Sequence, residues 1–243
     1  MSVPFEQNVA IVTGASHGIG LGLTKALLEH DYQVVANSRA ITKAGTLTPS
    51  DRLVFVEGDI ARREIALEVV ETAVRRFGRL DLLVNNAGIF ISKAFTEYSV
   101  EDFEQLVATH LAGFFFVSQH AVRHMSAQQS GHIVNVTTAL VDQPLAEVPA
   151  AVQILTKGGL NAVTGALAIE YASRGIRVNA VSAGVIDTPM NKPEAHEFLR
   201  HLHPIQRLGH VSEIVDAVLY LNAATFVTGE VLHVDGGAHA GKW

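Results

Sequence analysis

The chain has 243 residues, of which 48% are hydrophobic and 17% charged, and this suits one folded domain with a sizeable apolar core. Its net charge is -6 and it carries no basic stripe, so we expect no nucleic-acid partner. It has no cysteine, which excludes disulfides and thiolate metal sites and fits a reducing, cytoplasmic setting. No stretch approaches the ~20 apolar residues of a membrane span, and Met1–Gln7 lack a signal-peptide pattern, so neither is expected.

Short apolar runs alternate with longer helical patterns along the chain. The runs that predict strands are Val9–Val12, Gln33–Asn37, Leu53–Glu57, Leu82–Asn85, His132–Val136, Arg177–Ser182 and Glu230–Val234. The patterns that predict helices are Gly18–His30, Ala61–Phe77, Glu101–Met125, Val152–Ala172 and Ser212–Leu221. The strand runs are continuously apolar, which is typical of strands buried on both faces.

Strand–helix alternation implies parallel strands joined by right-handed crossovers. The sequence therefore predicts a doubly wound α/β sheet of about seven strands with helices on both faces, a Rossmann fold, in a single domain over residues 1–243. The segment Ala40–Arg52 contains threonine, glycine and proline, and this composition favours a loop or a single helical turn over a full crossover helix.

The first predicted strand runs into a glycine-rich turn, Thr13-Gly-Ala-Ser-His-Gly-Ile-Gly. Gly14, Gly18 and Gly20 let the backbone turn sharply and approach a pyrophosphate, which free N–H groups at the helix N-terminus would bind. Glycine patterns are common, so a plain glycine turn of a βα unit is the alternative.

Further motifs follow in a fixed order. They are Asp59 after the third strand, Asn85-Asn86-Ala87-Gly88 after the fourth, Ile133-Val-Asn-Val, Ile176-Arg-Val-Asn-Ala-Val, Thr188-Pro-Met, Val227-Thr-Gly-Glu and Val234-Asp-Gly-Gly. Together with the glycine turn they resemble the short-chain dehydrogenase/reductase family over nearly the whole chain.

This resemblance implies a role for each matched position. It implies phosphate contacts from Ser16, His17 and Ile19, adenine contacts from Asp59 and Ile60, adenine-ribose contacts from Asn86, Ala87 and Gly88, and contacts near the nicotinamide from Gly184, Ile186 and Thr188. The two asparagines would also cap the loop that follows the fourth strand.

The end of the second strand determines which dinucleotide is preferred. An acidic side chain there would bond the ribose 2′-hydroxyl and repel a 2′-phosphate, but this chain has Asn37-Ser38-Arg39. A hydroxyl and a guanidinium suit a dianionic phosphate, so NADP is favoured over NAD. Two considerations weigh against a preference for NADP. Arg39 could equally be a solvated surface residue, and His17 stands where NADP-using relatives often carry arginine.

The catalytic positions depart from the family pattern, which uses Asn, Ser, Tyr and Lys. Lys157 matches the lysine, but Gln153 stands four residues earlier in place of the tyrosine. The serine position falls in Thr137-Thr138, with Thr138 preferred, and the asparagine position is His110. A glutamine amide forms hydrogen bonds but releases no proton near neutral pH. The resemblance therefore implies an atypical member that lacks the catalytic tyrosine.

Four other residues are candidates for the missing acid. His110 titrates in a suitable range and is ranked first, although a core histidine is the alternative. Glu147 and Asp142, on the loop Ala139–Ala150, come next, followed by Tyr98. The segment Asn191–Arg207 corresponds to the family's substrate lid and carries His196, His201 and His203, but their spacing suits no metal, so none is predicted.

We therefore expect an NADP(H)-dependent oxidoreductase acting on a small-molecule carbonyl, imine or polarised alkene, with altered proton delivery. The first alternative is a catalytically inactive NADP(H)-binding sensor or partner subunit. Lyase or dehalogenase-type chemistry is a weaker one, because such relatives usually lose the glycine turn. The predicted helix Glu101–Met125 carries many apolar residues and Val152–Ala172 is apolar on most faces, which predicts a homodimer or homotetramer.

Overall fold

The computed structural model describes residues 7–241, and the prediction about Met1–Gln7 lies almost wholly outside them. Within this range one parallel sheet has seven strands in the order β3-β2-β1-β4-β5-β6-β7. The strands are β1 (Val9–Thr13), β2 (Gln33–Ser38), β3 (Leu53–Glu57), β4 (Leu82–Asn85), β5 (Gly131–Thr138), β6 (Ile176–Ala183) and β7 (Val231–Val234). The predicted doubly wound α/β fold is confirmed.

Helices cover both faces of the sheet. They are α1 (Gly18–Glu29), α2 (Ile41–Ala44), α3 (Arg63–Phe77), α4 (Val100–Val107), α5 (Gly113–Gln128), α6 (Ala151–Tyr171), α7 (His196–Arg200) and α8 (Val211–Ala223). Ala10 and Val12 of β1 pack with α1 and α8 on one face, while Val9 and Ile11 pack with α3 and α5 on the other. Because both faces of β1 are buried, every residue from Val9 to Val12 is apolar.

Two sequence expectations need correction. The predicted helix Glu101–Met125 is interrupted by a π-helical turn at Ala108–Ala112, which separates α4 from α5. A π turn adds one residue to the helical repeat, and apolar periodicity does not reveal it. In addition, β7 is partly exposed at all four residues because it is the sheet's edge strand. The short α2 confirms the single turn expected in Ala40–Arg52.

β1 and β4 are neighbours in the sheet. The strand that follows β1 lies on one side of this pair, and the strand that follows β4 lies on the other side. Such a switch point opens a crevice at the carboxyl ends of the strands, where α/β proteins bind ligands. Among residues 7–241, no helix has the length and apolar character needed to cross a membrane.

Candidate cofactor and active site

A cavity of about 690 Å³ opens at the carboxyl ends of the strands, from the end of β2 to the segments after β5 and β6. Most site residues predicted from the sequence line it: Gly14, Ser16, His17, Gly18, Ile19, Asn37, Ser38, Arg39, Asp59, Ile60, Asn86, Ala87, Gly88, Thr138, Gln153, Lys157, Gly184, Ile186 and Thr188. Gly20 and His110 do not.

The loop that follows β4 packs against the glycine turn. Gly14 adopts φ +67°, and a Cβ there would lie 2.9 Å from Asn86 Nδ2. A Cβ on Gly20 would lie 2.2 Å from the Gly14 carbonyl oxygen, so Gly20 supports the turn without reaching the cavity. Asn86 Nδ2 donates to the Thr13 carbonyl at 2.9 Å. The turn thus presents the start of α1, which has no acidic residue and no side-chain cap, to the cavity.

Hydroxyl groups and one arginine form the corner at the end of β2. Ser38 Oγ lies 2.8 Å from Ser16 Oγ, and His17 Nδ1 lies 2.9 Å from the same Ser16 oxygen. Arg39 is exposed, and its guanidinium has no hydrogen bond or ion pair with any residue of the described range. Asn37 points elsewhere, because its Nδ2 donates to the Val56 and Gly58 carbonyls at 2.9 and 3.2 Å. A cation is therefore free to bind an anion at this corner.

The opposite end of the cavity carries two residues of one turn of α6. Lys157 is buried and donates to the Val136 carbonyl at 2.7 Å, and burial lowers its pKa to about 8. Gln153, which is 4% exposed, has an Oε1 without a hydrogen-bond partner among the described residues. Thr138 Oγ1 accepts a hydrogen bond from the Leu140 N–H at 3.4 Å. These three side chains line one wall.

His110 is enclosed behind that wall. Its Nε2 accepts a hydrogen bond from the Ile89 N–H at 3.2 Å, and its Nδ1 lies 2.9 Å from Thr156 Oγ1. Because the Thr156 hydroxyl donates to main-chain carbonyls of α6, we assign the ring proton to Nδ1. Burial and then the charge of Lys157 lower the His110 pKa to about 3. These contacts favour the core-histidine interpretation over the general-acid one.

The other candidate acids also lie away from the cavity. Asp142 Oδ2 is paired with His233 Nε2 at 3.0 Å, and Tyr98 donates its hydroxyl proton to the Ile91 carbonyl at 2.7 Å. Glu147 is exposed. None of the three lines the cavity, and within residues 7–241 no tyrosine does.

Sequence reasoning missed much of the cavity's lining on the segments that follow β4, β5 and β6. The residues to which it gave no role there are Ile89, Phe90, Leu140, Gln143, Leu145, Val148, Met190, Leu199 and Leu202. It named His203 only as part of the lid, whereas this side chain lines the cavity and its Nε2 accepts a hydrogen bond from the Val185 N–H at 2.9 Å. The resemblance identified the segment as a lid, but no periodicity in it shows which side chains face inward. No group of metal ligands occurs in the described part of the chain.

Because His110 and a second histidine are buried, we expect the free energy of unfolding to decrease at acidic pH. His132 on β5 is contacted by Asn222 and Asn179, and burial, with the nearby Arg177 charge, lowers its pKa to about 3. The unfolded chain binds these protons near pH 6.5 and the folded chain only near pH 3, so stability falls as the pH drops from 6.5 toward 3. At pH 5 each histidine should cost about 2 kcal/mol of unfolding free energy.

Urea unfolding at pH 7.5 and pH 5 measures this loss. In His110→Asn the difference between the two pH values should shrink by about 2 kcal/mol. An unchanged pH difference in His110→Asn would show that His110 is not held neutral by the fold.

A glycine turn beneath a cavity at the switch point of a doubly wound parallel sheet defines a dinucleotide-binding class of protein. Residues 14–239 match the family model described as Enoyl-(Acyl carrier protein) reductase. The cis-4-hydroxycyclohexanecarboxylate dehydrogenase of Sinomonas cyclohexanicum is 34% identical over 98% of both chains. The chain therefore belongs to the short-chain dehydrogenase/reductase family.

Solved structures agree over the same length. ElxO with NADP bound is 30% identical and has a TM-score of 0.89, covering 98% of this chain and 100% of that one. The 3-ketoacyl-(acyl-carrier-protein) reductase of Brucella melitensis, complexed with NADH, is 30% identical with a TM-score of 0.89, covering 96% of this chain and 99% of that one.

Proposed function

We propose that this chain, as a single dinucleotide-binding domain, is an NADP(H)-dependent oxidoreductase that acts on a carbonyl, imine or polarised alkene and lacks the family's tyrosine as proton donor. The observation that carries the proposal is one continuous cavity with Arg39 at one end and Gln153 and Lys157 at the other. NADPH, when bound, supplies the hydride.

The cofactor end fits NADP(H). Ser16, Ser38 and the unpaired Arg39 offer donors to a 2′-phosphate, and no carboxylate stands at positions 37–39 to repel it. NADP bound to the similar ElxO supports this choice, although the similar Brucella reductase holds NADH. At the other end, an ammonium group has three donors, and the Lys157 bond to Val136 leaves two for the nicotinamide ribose and the reacting group.

Proton delivery must differ because Gln153 has no proton to release. Its amide orients the substrate's oxygen or nitrogen, and Thr138 supplies a second hydrogen-bonding group beside it. Lys157 is the ionisable residue on the same turn, and its pKa of about 8 brings its proton within reach of neutral pH, unlike an exposed lysine near 10.4. Lys157 therefore donates the proton, directly or across one water, and solvent restores it.

A panel of ketones, imines and activated alkenes, followed by NADPH absorbance, tests the proposal. Consumption of NADPH with any class supports oxidoreduction. Tight NADPH binding without consumption across the panel favours the alternative, a catalytically inactive sensor or partner subunit, which the loss of the tyrosine also fits. Lyase or dehalogenase chemistry is disfavoured by the intact glycine turn.

We also expect a homodimer or homotetramer. On α5 and α6, Phe115, Leu155 and Ile169 are 52%, 64% and 81% exposed, and apolar faces of this kind are commonly covered by a second subunit. Light scattering at micromolar concentration should give a multiple of 26.1 kDa, and Leu155→Arg with Ile169→Arg should reduce it. A monomer in the unmodified protein would reject this prediction.

A further inference from the structure

We infer that the substrate is a neutral, largely apolar molecule that carries no ionised carboxylate, phosphate or ammonium group; this inference rests on the proposed function. Its basis is the apolar part of the cavity's lining on the segments that follow β4, β5 and β6. The apolar side chains there come from three separate segments and are Phe90, Leu140, Leu145, Val148, Met190, Leu199 and Leu202. Such a wall gains free energy by burying apolar substrate surface.

Charged side chains are plentiful on the same segments but face away. Among the described residues of these segments, none of the following lines the cavity: Asp142, Glu147, Asp187, Lys192, Glu194, Glu197, Arg200 and Arg207. The two lid arginines are bound elsewhere, since Arg200 pairs with Glu197 at 2.7 Å and Arg207 with Glu213 at 2.6 Å. An anionic substrate tail placed against this wall would therefore give up contacts with water without gaining a charged partner, which is costly.

The polar groups that do face the substrate end are uncharged, apart from Lys157. Gln143 lines the cavity, and its amide makes no hydrogen bond to the described residues, so it is available to a hydroxyl or carbonyl. His203 accepts a hydrogen bond from the Val185 N–H at Nε2, which requires the neutral ring with its proton on Nδ1, and burial lowers its pKa. A substrate ammonium would meet no carboxylate here and would be repelled by Lys157.

Lys157 does not provide the missing partner for an anion. It shares a helical turn with Gln153 and bonds Val136, so it lies next to the reacting group and not along the apolar wall. A carboxylate placed on Lys157 would displace the reacting carbon from the position beside Gln153. A charged group remote from the reacting atom would instead lie against leucine, methionine and phenylalanine.

Matched substrates test the inference: an aryl ketone that bears a carboxylate on its ring, and the methyl ester of the same ketone. With NADPH at pH 7, kcat/KM should be at least a hundredfold higher for the ester than for the acid. Leu145→Arg places a cation on the wall and should raise kcat/KM for the acid at least tenfold relative to the ester. Leu145→Gln is the uncharged control and should leave the ratio within threefold of the unmodified protein.

A binding measurement separates failure of this inference from failure of the proposed function. NADPH fluorescence of the loaded protein is titrated with each ketone, so turnover is not required. Preferential binding of the ester, with no NADPH consumed by it or by any ketone, imine or alkene of the panel, would support the inference and overturn the proposed function. Equal or tighter binding of the acid, or binding of neither ketone, would overturn the inference.

Discussion

Gln153→Tyr is expected to raise the rate of ketone reduction at least tenfold. The substitution supplies a phenol on the cavity wall, one helical turn before Lys157, whose charge lowers the phenol's pKa. General acid catalysis typically contributes ~10²–10⁴ in rate, so a tenfold gain allows for imperfect placement of the ring. Further gain should come from adding Thr138→Ser and His110→Asn. Steady-state kcat with NADPH measures the effect, and cofactor affinity shows whether the site is intact.

The double substitution at positions 153 and 157 gives the control. Lys157→Ala in the Gln153→Tyr background should remove the gain. Lys157→Arg keeps the positive charge, but arginine does not release its proton. With Gln153 in place, this substitution should abolish activity. In the Gln153→Tyr background part of the activity should remain, because the introduced phenol supplies the proton. In the unmodified protein kcat should fall above about pH 8 as Lys157 deprotonates. An unchanged rate in Gln153→Tyr would show that residue 153 is not where a donor is needed.

The sheet and the residues that line the cavity beside the glycine turn were predictable because they follow local rules. Gly14 and Gly18 have positive φ values, and continuous apolar runs become strands buried on both faces. The order of these motifs places them at one edge of the sheet without any knowledge of side-chain direction.

The substrate end was not predictable in the same way because side-chain direction there depends on irregular backbone. Asp142 and Tyr98 lie on suitable segments yet are turned toward His233 and the Ile91 carbonyl. His110 lies in the π-helical turn at Ala108–Ala112, and the apolar periodicity of the sequence does not predict this turn. The inward position of His203 depends on the segment Asn191–Arg207 packing against Val185, a long-range contact.

Arg39→Ala is expected to weaken NADPH binding about ten- to a hundredfold and to leave NADH binding nearly unchanged. The reason is that the Arg39 guanidinium, unpaired in the described structure, would form a charge-assisted contact of ~1.5–3 kcal/mol with the 2′-phosphate. Calorimetric titration of both cofactors measures it. Arg39→Lys keeps the charge without the planar fork and should retain part of the preference. Arg52→Ala, which removes an arginine paired with Asp31, is the matched control and should change neither affinity. Equal affinities for NADPH and NADH in the unmodified protein would show that Arg39 is only a solvated surface residue.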